Sequence, residues 1–254
     1  MERLLWCFLA LIGFPSVLGQ TDLHKKAFVF PKETENSYVS LKTQLETPLK
    51  AFTVCLYFYT ELARTRSYSI FSYATRQQPN EILIFWSKGR GYTFGVHGKE
   101  VSFQSFENTQ APTHICASWE STSGIAELWV NGKPRVRKSL EKGASLGKDA
   151  SIILGQEQDA FAGGFDRNQC LVGDIGDVNM WDFVLSPEEI NTVYIGGNLS
   201  PNVLNWKALN YEAKDMHTKD FVFPKASDNS YVTLTAHITK PLQAFMCACT
   251  SLLT

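Results

Sequence analysis

Short runs in which apolar and polar residues alternate recur along the chain between residues 28 and 204. They are rich in β-branched and aromatic side chains, as β-strands are. The clearest runs are residues 37–41, 52–58, 81–86 and 127–130. Asn131-Gly132, which directly follows the last of them, predicts a two-residue hairpin turn. Regular strands with turn residues between them predict an all-β fold, a two-sheet antiparallel sandwich.

One helix is predicted, at residues 186–195. Ser186 would cap its amino end, Pro187 would lie in the first turn, and two glutamates would follow near the positive end of the helix dipole. Three apolar residues give the helix one side that can pack on a sheet: Ile190, Val193 and Tyr194. Gly196-Gly197 would end it.

The amino terminus has the pattern of a secretory signal peptide. A basic start precedes the apolar run 4–14, and small or apolar residues precede Gln20. We therefore expect residues 1–19 to be removed, and the protein to be secreted and extracellular. The new terminal residue, Gln20, would cyclise to pyrrolidone carboxylic acid. No later segment reaches the ~20 apolar residues that a membrane-spanning helix needs.

Net charge limits the classes of binding partner, and the number of cysteines limits how the thiols can pair. With 24 basic and 25 acidic residues the net charge is -1, which disfavours nucleic acid and acidic membranes as partners. Of the six cysteines, Cys7 lies in the signal peptide, so five remain. An odd number in an oxidising compartment predicts at least one free or intermolecular thiol. Cys170 is either an inert buried thiol or a partner of Cys247 or Cys249.

The carboxy-terminal tail contains an internal repeat. Residues 221–245 copy residues 28–52, with 14 of 25 positions identical. The copy holds about two strands, which cannot bury a core alone. We expect residues 219–254 to be a poorly ordered appendage, or an edge strand that competes with its original, and not a second functional domain.

One motif links the chain to a known family. His114-Ile-Cys-Ala-Ser-Trp119 matches the pentraxin signature His-x-Cys-x-[Ser/Thr]-Trp. Supporting stretches lie at residues 26–32, 67–73, 155–159, 173–176 and 200–206. The chain resembles a pentraxin over nearly all of residues 20 to about 211, and we expect a pentraxin domain at residues 20–218. The resemblance implies a jelly roll of the legume-lectin type and a disulfide between Cys55 and Cys116. It also implies a homopentamer with calcium sites on one face and the helix on the other.

The loop from Glu157 to Gln169 holds three carboxylates and three side-chain amides together with two glycines. Calcium takes many oxygen ligands from loops of this kind, although an ordinary polar surface loop has the same composition. The resemblance implies that two calcium ions bind to Asn80, Glu157, the Gln158 carbonyl, Asp159, Asp166 and Gln169. Pro79 stands where the family usually has aspartate, and Asp166 where glutamate is common. We therefore expect calcium binding weaker than is usual in the family.

The resemblance also implies a ligand and a function. Phosphocholine would be held by calcium through its phosphate, by Phe85 at the choline methyl groups and by Glu100 at the quaternary ammonium. Such a protein is a non-enzymatic pattern-recognition molecule of the acute phase and of innate immunity. Gly95, where phosphocholine binders have threonine, favours an alternative with broader anionic or carbohydrate ligands.

Two further interpretations concern partner binding and a possible enzymatic activity. Complement and Fc-receptor-type partners would engage the opposite face, at Tyr194, although Asn131 stands there in place of an expected aspartate. A glycosidase that uses Glu157 and Asp159 is the remote enzymatic alternative. It is disfavoured because such carboxylate pairs need a set separation and one raised pKa, whereas glycines and amides surround these two.

Overall fold

The computed structural model describes residues 19–43, 45–62, 66–104 and 111–223. Most of the predicted signal peptide, residues 1–18, lies outside them, as do residues 224–254 of the repeat with Cys247 and Cys249. Within the described residues no helix is long and apolar enough to cross a membrane.

The described strands form two antiparallel sheets. The first sheet contains β1 (Lys26–Phe30), β3 (Ala51–Tyr59), β8 (Thr113–Glu120), β9 (Ile125–Val130), β10 (Lys133–Pro134), β11 (Lys138–Ser139), β13 (Gly173–Trp181) and β15 (His217–Asp220). Their order is β10-β9-β8-β3-β13-β1-β15, and β11 also pairs with β9.

The second sheet supplies the other layer. It contains β2 (Tyr38–Lys42), β4 (Tyr68–Thr75), β5 (Ile82–Ser87), β6 (Gly91–Val96), β7 (Lys99–Phe103), β12 (Ala150–Leu154) and β14 (Asn210–Lys214). Their order is β14-β2-β12-β4-β5-β6-β7. A short 3-10 helix, Trp206–Ala208, precedes β14. The predicted strands at residues 37–41, 52–58, 81–86 and 127–130 are confirmed as β2, β3, β5 and β9.

The main core lies between the two sheets, and strand alternation decides which side chains enter it. In β3, Val54, Leu56 and Phe58 belong to the inter-sheet core, whereas Cys55 and Tyr57 belong to clusters on the outer face of the first sheet. A strand that is buried on both sides must have cover on its outer face. The helix supplies part of that cover.

Helix α1 (Pro187–Tyr194) begins and ends as the sequence predicts. The Ser186 side chain accepts a hydrogen bond from the Glu189 amide, and the Glu189 carboxylate accepts one from the Ser186 amide. This capping box satisfies amides that have no partner within the helix. Ile190 is buried against the outer face of the first sheet, in a cluster that includes Trp129 and Trp181.

The disulfide implied by the family resemblance is present between Cys55 and Cys116. The two residues lie directly opposite each other on β3 and β8, with a Cα–Cα distance of 4.1 Å. The hairpin turn is also confirmed, since Asn131 and Gly132 both have positive φ, 52° and 72°, between β9 and β10. Cys170 is a buried free thiol that donates a hydrogen bond to the Arg167 carbonyl.

The first residues of the repeat, 221–223, lie in the described part of the chain. Strand β15 leads into them and pairs with β1 at the edge of the first sheet. Phe223 is 3% exposed, and its ring stacks on Tyr57 at a centroid distance of 5.2 Å. The copied phenylalanine therefore packs on the outside of the first sheet, whereas its original, Phe30, lies in the inter-sheet core.

Candidate functional site

The outer face of the second sheet carries a row of residues that crosses four strands. Ser72, Leu83, Gly95 and Glu100 are successive Cα partners on β4, β5, β6 and β7. Because their neighbours Ile82 and Ile84 point into the inter-sheet core, this row faces outward. The row therefore brings residues distant in sequence together on one open surface.

The loop at residues 155–169 is fixed to one end of this row. The Gln158 side chain is fully buried, and its Nε2 donates to the Ser72 carbonyl at 3.2 Å and to the Ser151 carbonyl at 3.0 Å. Its Oε1 accepts from the Ala162 amide at 3.0 Å. The side chain thus ties the loop to the sheet. The family resemblance assigns the ion to the backbone carbonyl of Gln158 and not to this side chain.

The start of the loop is held close to the core. Gly155 has a φ of 82°, and a Cβ atom there would lie 2.5 Å from the Phe30 ring. The Gln156 Nε2 then donates to the carbonyls of Thr34 and Ser37, at 2.7 and 3.0 Å. These contacts set the direction in which the following acidic residues leave the sheet.

Glu157 is the buried carboxylate of the site, at 5% exposed. Burial raises its pKa, the nearby carboxylate of Asp159 raises it further, and a hydrogen bond from Asn80 lowers it. Glu100 and Asp166 add smaller upward contributions to the same pKa. The carboxylates thus act on one another electrostatically, and no basic side chain contributes to the shift. A bound cation would relieve this repulsion.

Two amide oxygens of the site are buried without a hydrogen-bond donor among the described residues. They are Oδ1 of Asn80 and Oε1 of Gln169. Buried polar atoms usually have a partner, and both of these acceptors belong to the predicted ligand set. Oxygen atoms of this kind are the ligands that calcium prefers. The donor set therefore fits a hard cation.

The carboxylates are spread out and do not form one tight cluster. Asp166 Oδ1 accepts from the backbone and side chain of Asn168, both at 2.9 Å, and Asp159 is exposed. Among the described residues, three acidic, His or Cys ligand atoms come within 4.8 Å of one another only at Cys55, His114 and Cys116. That group is the disulfide with its neighbouring histidine, and it lies on the first sheet.

Hydrogen bonds from neighbouring segments hold the turn that carries Asn80. The Gly98 amide donates to the Asn80 carbonyl at 2.8 Å, and the His97 amide donates to the Glu81 carbonyl at 2.9 Å. The Glu81 carboxylate is buried and accepts from the Gly147 amide at 2.8 Å, with His97 Nδ1 3.1 Å away. Sequence reasoning did not identify Glu81 or His97 as residues that position this turn.

We refer to the outer surface that runs from the loop along the row to Glu100 as the groove. Phe85 is half-buried on β5 and Glu100 is exposed on β7. Gly95 fits closely between Leu83 and Glu100, since a Cβ there would lie 3.2 Å from Leu83 Cβ and 3.6 Å from Glu100 Cγ. Arg90, which the sequence did not single out, ends the turn between β5 and β6 and contacts Glu100.

Tyr194 lies on the opposite side of the molecule, near the end of α1. Its carbonyl accepts a hydrogen bond from the Tyr57 hydroxyl at 2.9 Å, and its ring lies 5.4 Å from that of His114. The amide of His114 donates to Asn131 Oδ1 at 2.9 Å. Tyr194 therefore packs the helix end against the first sheet while staying partly exposed.

Comparison with known proteins decides the family. The model of the Pentaxin family matches residues 26–218. The chain belongs to the pentraxin family. This pentraxin is 66% identical over 225 residues to the C-reactive protein of Mesocricetus auratus, an alignment that covers 88% of the chain and all of the relative. It is 50% identical over 215 residues to the serum amyloid P-component of Cavia porcellus, covering 85% of the chain and 96% of that relative.

A solved structure shows the same fold. The heptameric SAP-like pentraxin from Limulus polyphemus superposes with a TM-score of 0.70 at 22% identity, covering 80% of this chain and 98% of that one. The predicted two-sheet jelly-roll sandwich with one helix is confirmed. Since pentraxins are binding proteins and not enzymes, the glycosidase alternative is excluded.

Proposed function

We propose that this pentraxin is a secreted, calcium-dependent pattern-recognition protein that binds phosphocholine and related ligands on damaged cells and microbes. The observation that carries the proposal is the pair of buried amide oxygens without donors, Asn80 Oδ1 and Gln169 Oε1, beside three carboxylates on one loop. The similarity to C-reactive proteins supports it over almost the whole of those relatives.

The residues that would hold calcium are those already implied by the resemblance: Asn80, Glu157, the Gln158 carbonyl, Asp159, Asp166 and Gln169. Two ions per subunit would present positive charge to the phosphate group of a ligand. The chain itself supplies the rest of the recognition. Phe85 offers a half-buried ring to the choline methyl groups, and Glu100 offers a carboxylate to the quaternary ammonium.

In this proposal, ligands and immune partners bind to opposite outer faces of the sandwich. The ligand groove lies on the second sheet, while α1 and Tyr194 lie on the first. A homopentamer would present five grooves together, which raises the avidity for repeated ligands. The opposite face would stay available to complement and Fc-receptor-type partners, which we propose engage at Tyr194. A relative described as heptameric supports a ring assembly.

The second candidate ligand class is broader, anionic or carbohydrate, as for a serum-amyloid-P-like binder. Gly95 favours it, because glycine stands there in place of the threonine that the family resemblance implies for phosphocholine binders. Similarity to serum amyloid P-component is lower than to C-reactive proteins, so we place this candidate second.

The test is calorimetric titration of phosphocholine into the purified protein, in calcium and then in excess chelator. We expect binding that requires calcium, that is lost in Glu157→Gln and that is kept in Glu212→Gln. Glu212 is an exposed residue of β14, far along the same sheet, and so controls for the loss of one charge. Binding that is unchanged by chelator, or no binding in millimolar calcium, would overturn the proposal.

A further inference from the structure

We propose that Arg90 weakens the preference of the groove for a quaternary ammonium, so that phosphate monoesters with a neutral or anionic substituent also bind there. This inference rests on the proposed function, because it concerns the ligand that calcium would hold at the same site. It assigns Arg90 as a residue that determines specificity, next to Phe85 and Glu100.

The Arg90 side chain is held at two points along β7. Its Nε donates to the Ser102 hydroxyl at 3.2 Å, and its Nη2 lies 3.8 Å from Glu100 Oε2. Ser102 is the Cα partner of Thr93, and Glu100 that of Gly95. The guanidinium therefore extends from the β5–β6 turn along the outer face of β7 and reaches the far side of the groove.

The guanidinium changes the charge that a ligand meets at this point. Glu100 alone would offer one negative charge to a cation such as a quaternary ammonium. With Arg90 beside it, the pair has no net charge, and the guanidinium repels a cation that approaches the carboxylate. A quaternary ammonium has no N–H group, so it cannot compensate by donating a hydrogen bond to Glu100.

Exposure makes the ion pair easy to rearrange. The side chains of Arg90 and Glu100 are 59% and 37% exposed, and pairs of that kind contribute little stability. A ligand with anionic or hydroxyl oxygens can therefore take Arg90 hydrogen bonds from Glu100 at small cost. Guanidinium suits such a ligand, because it presents several N–H donors in one plane and always carries its charge.

The position between Leu83 and Glu100 offers no polar side chain of its own, because it is occupied by Gly95. The hydroxyl or anionic oxygens of a substituent therefore find their N–H donors at Arg90. A trimethylammonium group gains no polar partner at Gly95.

The experiment compares two phosphate monoesters that differ in the charge of the substituent. Phosphocholine and glycerol 3-phosphate are titrated calorimetrically, in calcium, into the full protein and into Arg90→Gln. Lys88→Gln is the matched control, because it removes one positive charge from the same turn and Lys88 makes no ion pair with Glu100 among the described residues. Unfolding midpoints of both variants confirm that the fold is retained.

We expect the unmodified protein to bind both phosphocholine and glycerol 3-phosphate in calcium. Arg90→Gln should shift the ratio of the two dissociation constants toward phosphocholine by about threefold or more, and Lys88→Gln by less than about twofold. Calcium-dependent binding of both esters with an unchanged ratio in Arg90→Gln overturns this inference and leaves the proposed function standing. Absence of calcium-dependent binding of either ester overturns the proposed function, and this inference with it.

Discussion

Glu157 is the residue at which the proposed calcium site opposes the stability of the fold. The carboxylate is buried beside other carboxylates, and its pKa is raised, first by burial and then by Asp159. The ionised form is therefore less favourable in the folded chain than in the unfolded one. Without a cation, the ionised side chain lowers the free energy of unfolding.

A substitution at Glu157 should separate these two effects. In excess chelator at neutral pH, Glu157→Gln should raise the urea midpoint of unfolding, because the buried charge is removed. In saturating calcium the order should reverse, because the unmodified protein gains binding energy. The advantage of the variant in chelator should vanish as the pH falls below 4.5, the ordinary pKa of glutamate, because both states then carry the proton. A variant that is less stable in chelator contradicts this description.

Pro79 is the departure from the family pattern that bears most directly on affinity. It occupies the turn next to Asn80, partly exposed, where its side chain offers no oxygen. Pro79→Asp should tighten calcium binding by about 1–3 kcal/mol, since it adds one charge-assisted contact. Calcium titration of Pro79→Asp and Pro79→Asn measures this, because the asparagine variant also removes the ring but adds no charge. Equal affinities in these two variants would show that the carboxylate is not the missing element.

Gly155 sets the entry into the ligand loop, and its role is testable against a second glycine. Gly155→Ala should cost about 2–4 kcal/mol of stability, because φ is 82° and the new Cβ would lie 2.5 Å from the Phe30 ring. Gly143 has a φ of 88° with nothing within 4 Å of its Cβ position, so Gly143→Ala should cost only about 1 kcal/mol. Urea unfolding of both variants separates the two costs, because Gly143→Ala has backbone strain alone and Gly155→Ala has backbone strain together with a clash. Equal losses would exclude the Phe30 contact as a cause.

At the scale of elements, local pattern predicted much of the sandwich. The alternation in β3, the capping residues of α1 and the Asn131-Gly132 turn are short-range signals, and each appears in the structure at the predicted residues. The row formed by Ser72, Leu83, Gly95 and Glu100 could not be predicted from local pattern, because it depends on the register between β4, β5, β6 and β7. The reach of Arg90 to Glu100 likewise depends on which residues the β6–β7 register places side by side.

The candidate site likewise contains residues that local sequence pattern predicts and residues that it does not. The clustering of acids and amides at residues 157–169 is visible in the sequence, and in the structure two of the predicted ligand residues have buried oxygens without donors. Asn80, in contrast, lies far from that loop in the chain, and only the family resemblance indicated it. The buried Glu81 that braces its turn has no signal in a single sequence, since an isolated acidic residue at a strand end is usually exposed.

The edge of the first sheet includes the start of the carboxy-terminal repeat, and Phe223 tests how firmly it is attached. Phe223→Ala should lower the free energy of unfolding by about 2–4 kcal/mol, because it removes a ring stacked on Tyr57. Val222 is 58% exposed, so Val222→Ala should change it by less than about 0.5 kcal/mol. Urea unfolding measures both. An unchanged midpoint for Phe223→Ala would mean that this segment does not contribute to the stable fold.

In the whole molecule, the two proposed binding surfaces lie on opposite faces of the sandwich. The proposed ligand groove occupies the outer face of the second sheet, and the helix with Tyr194 occupies the outer face of the first. The family match ends at residue 218, just before the repeat begins at Phe221. The repeat thus adds residues beyond the part of the chain that the family shares, and its first aromatic residues pack on the side away from the groove.

Calcium binding itself can be measured by calorimetric titration of calcium into the protein after all metal has been removed. We expect saturable binding of two ions per subunit, which Glu157→Gln weakens by tenfold or more, about 1.4 kcal/mol, and which Glu212→Gln leaves unchanged. No saturable binding in the millimolar range, or the same isotherm in Glu157→Gln, would show that these residues do not form a calcium site.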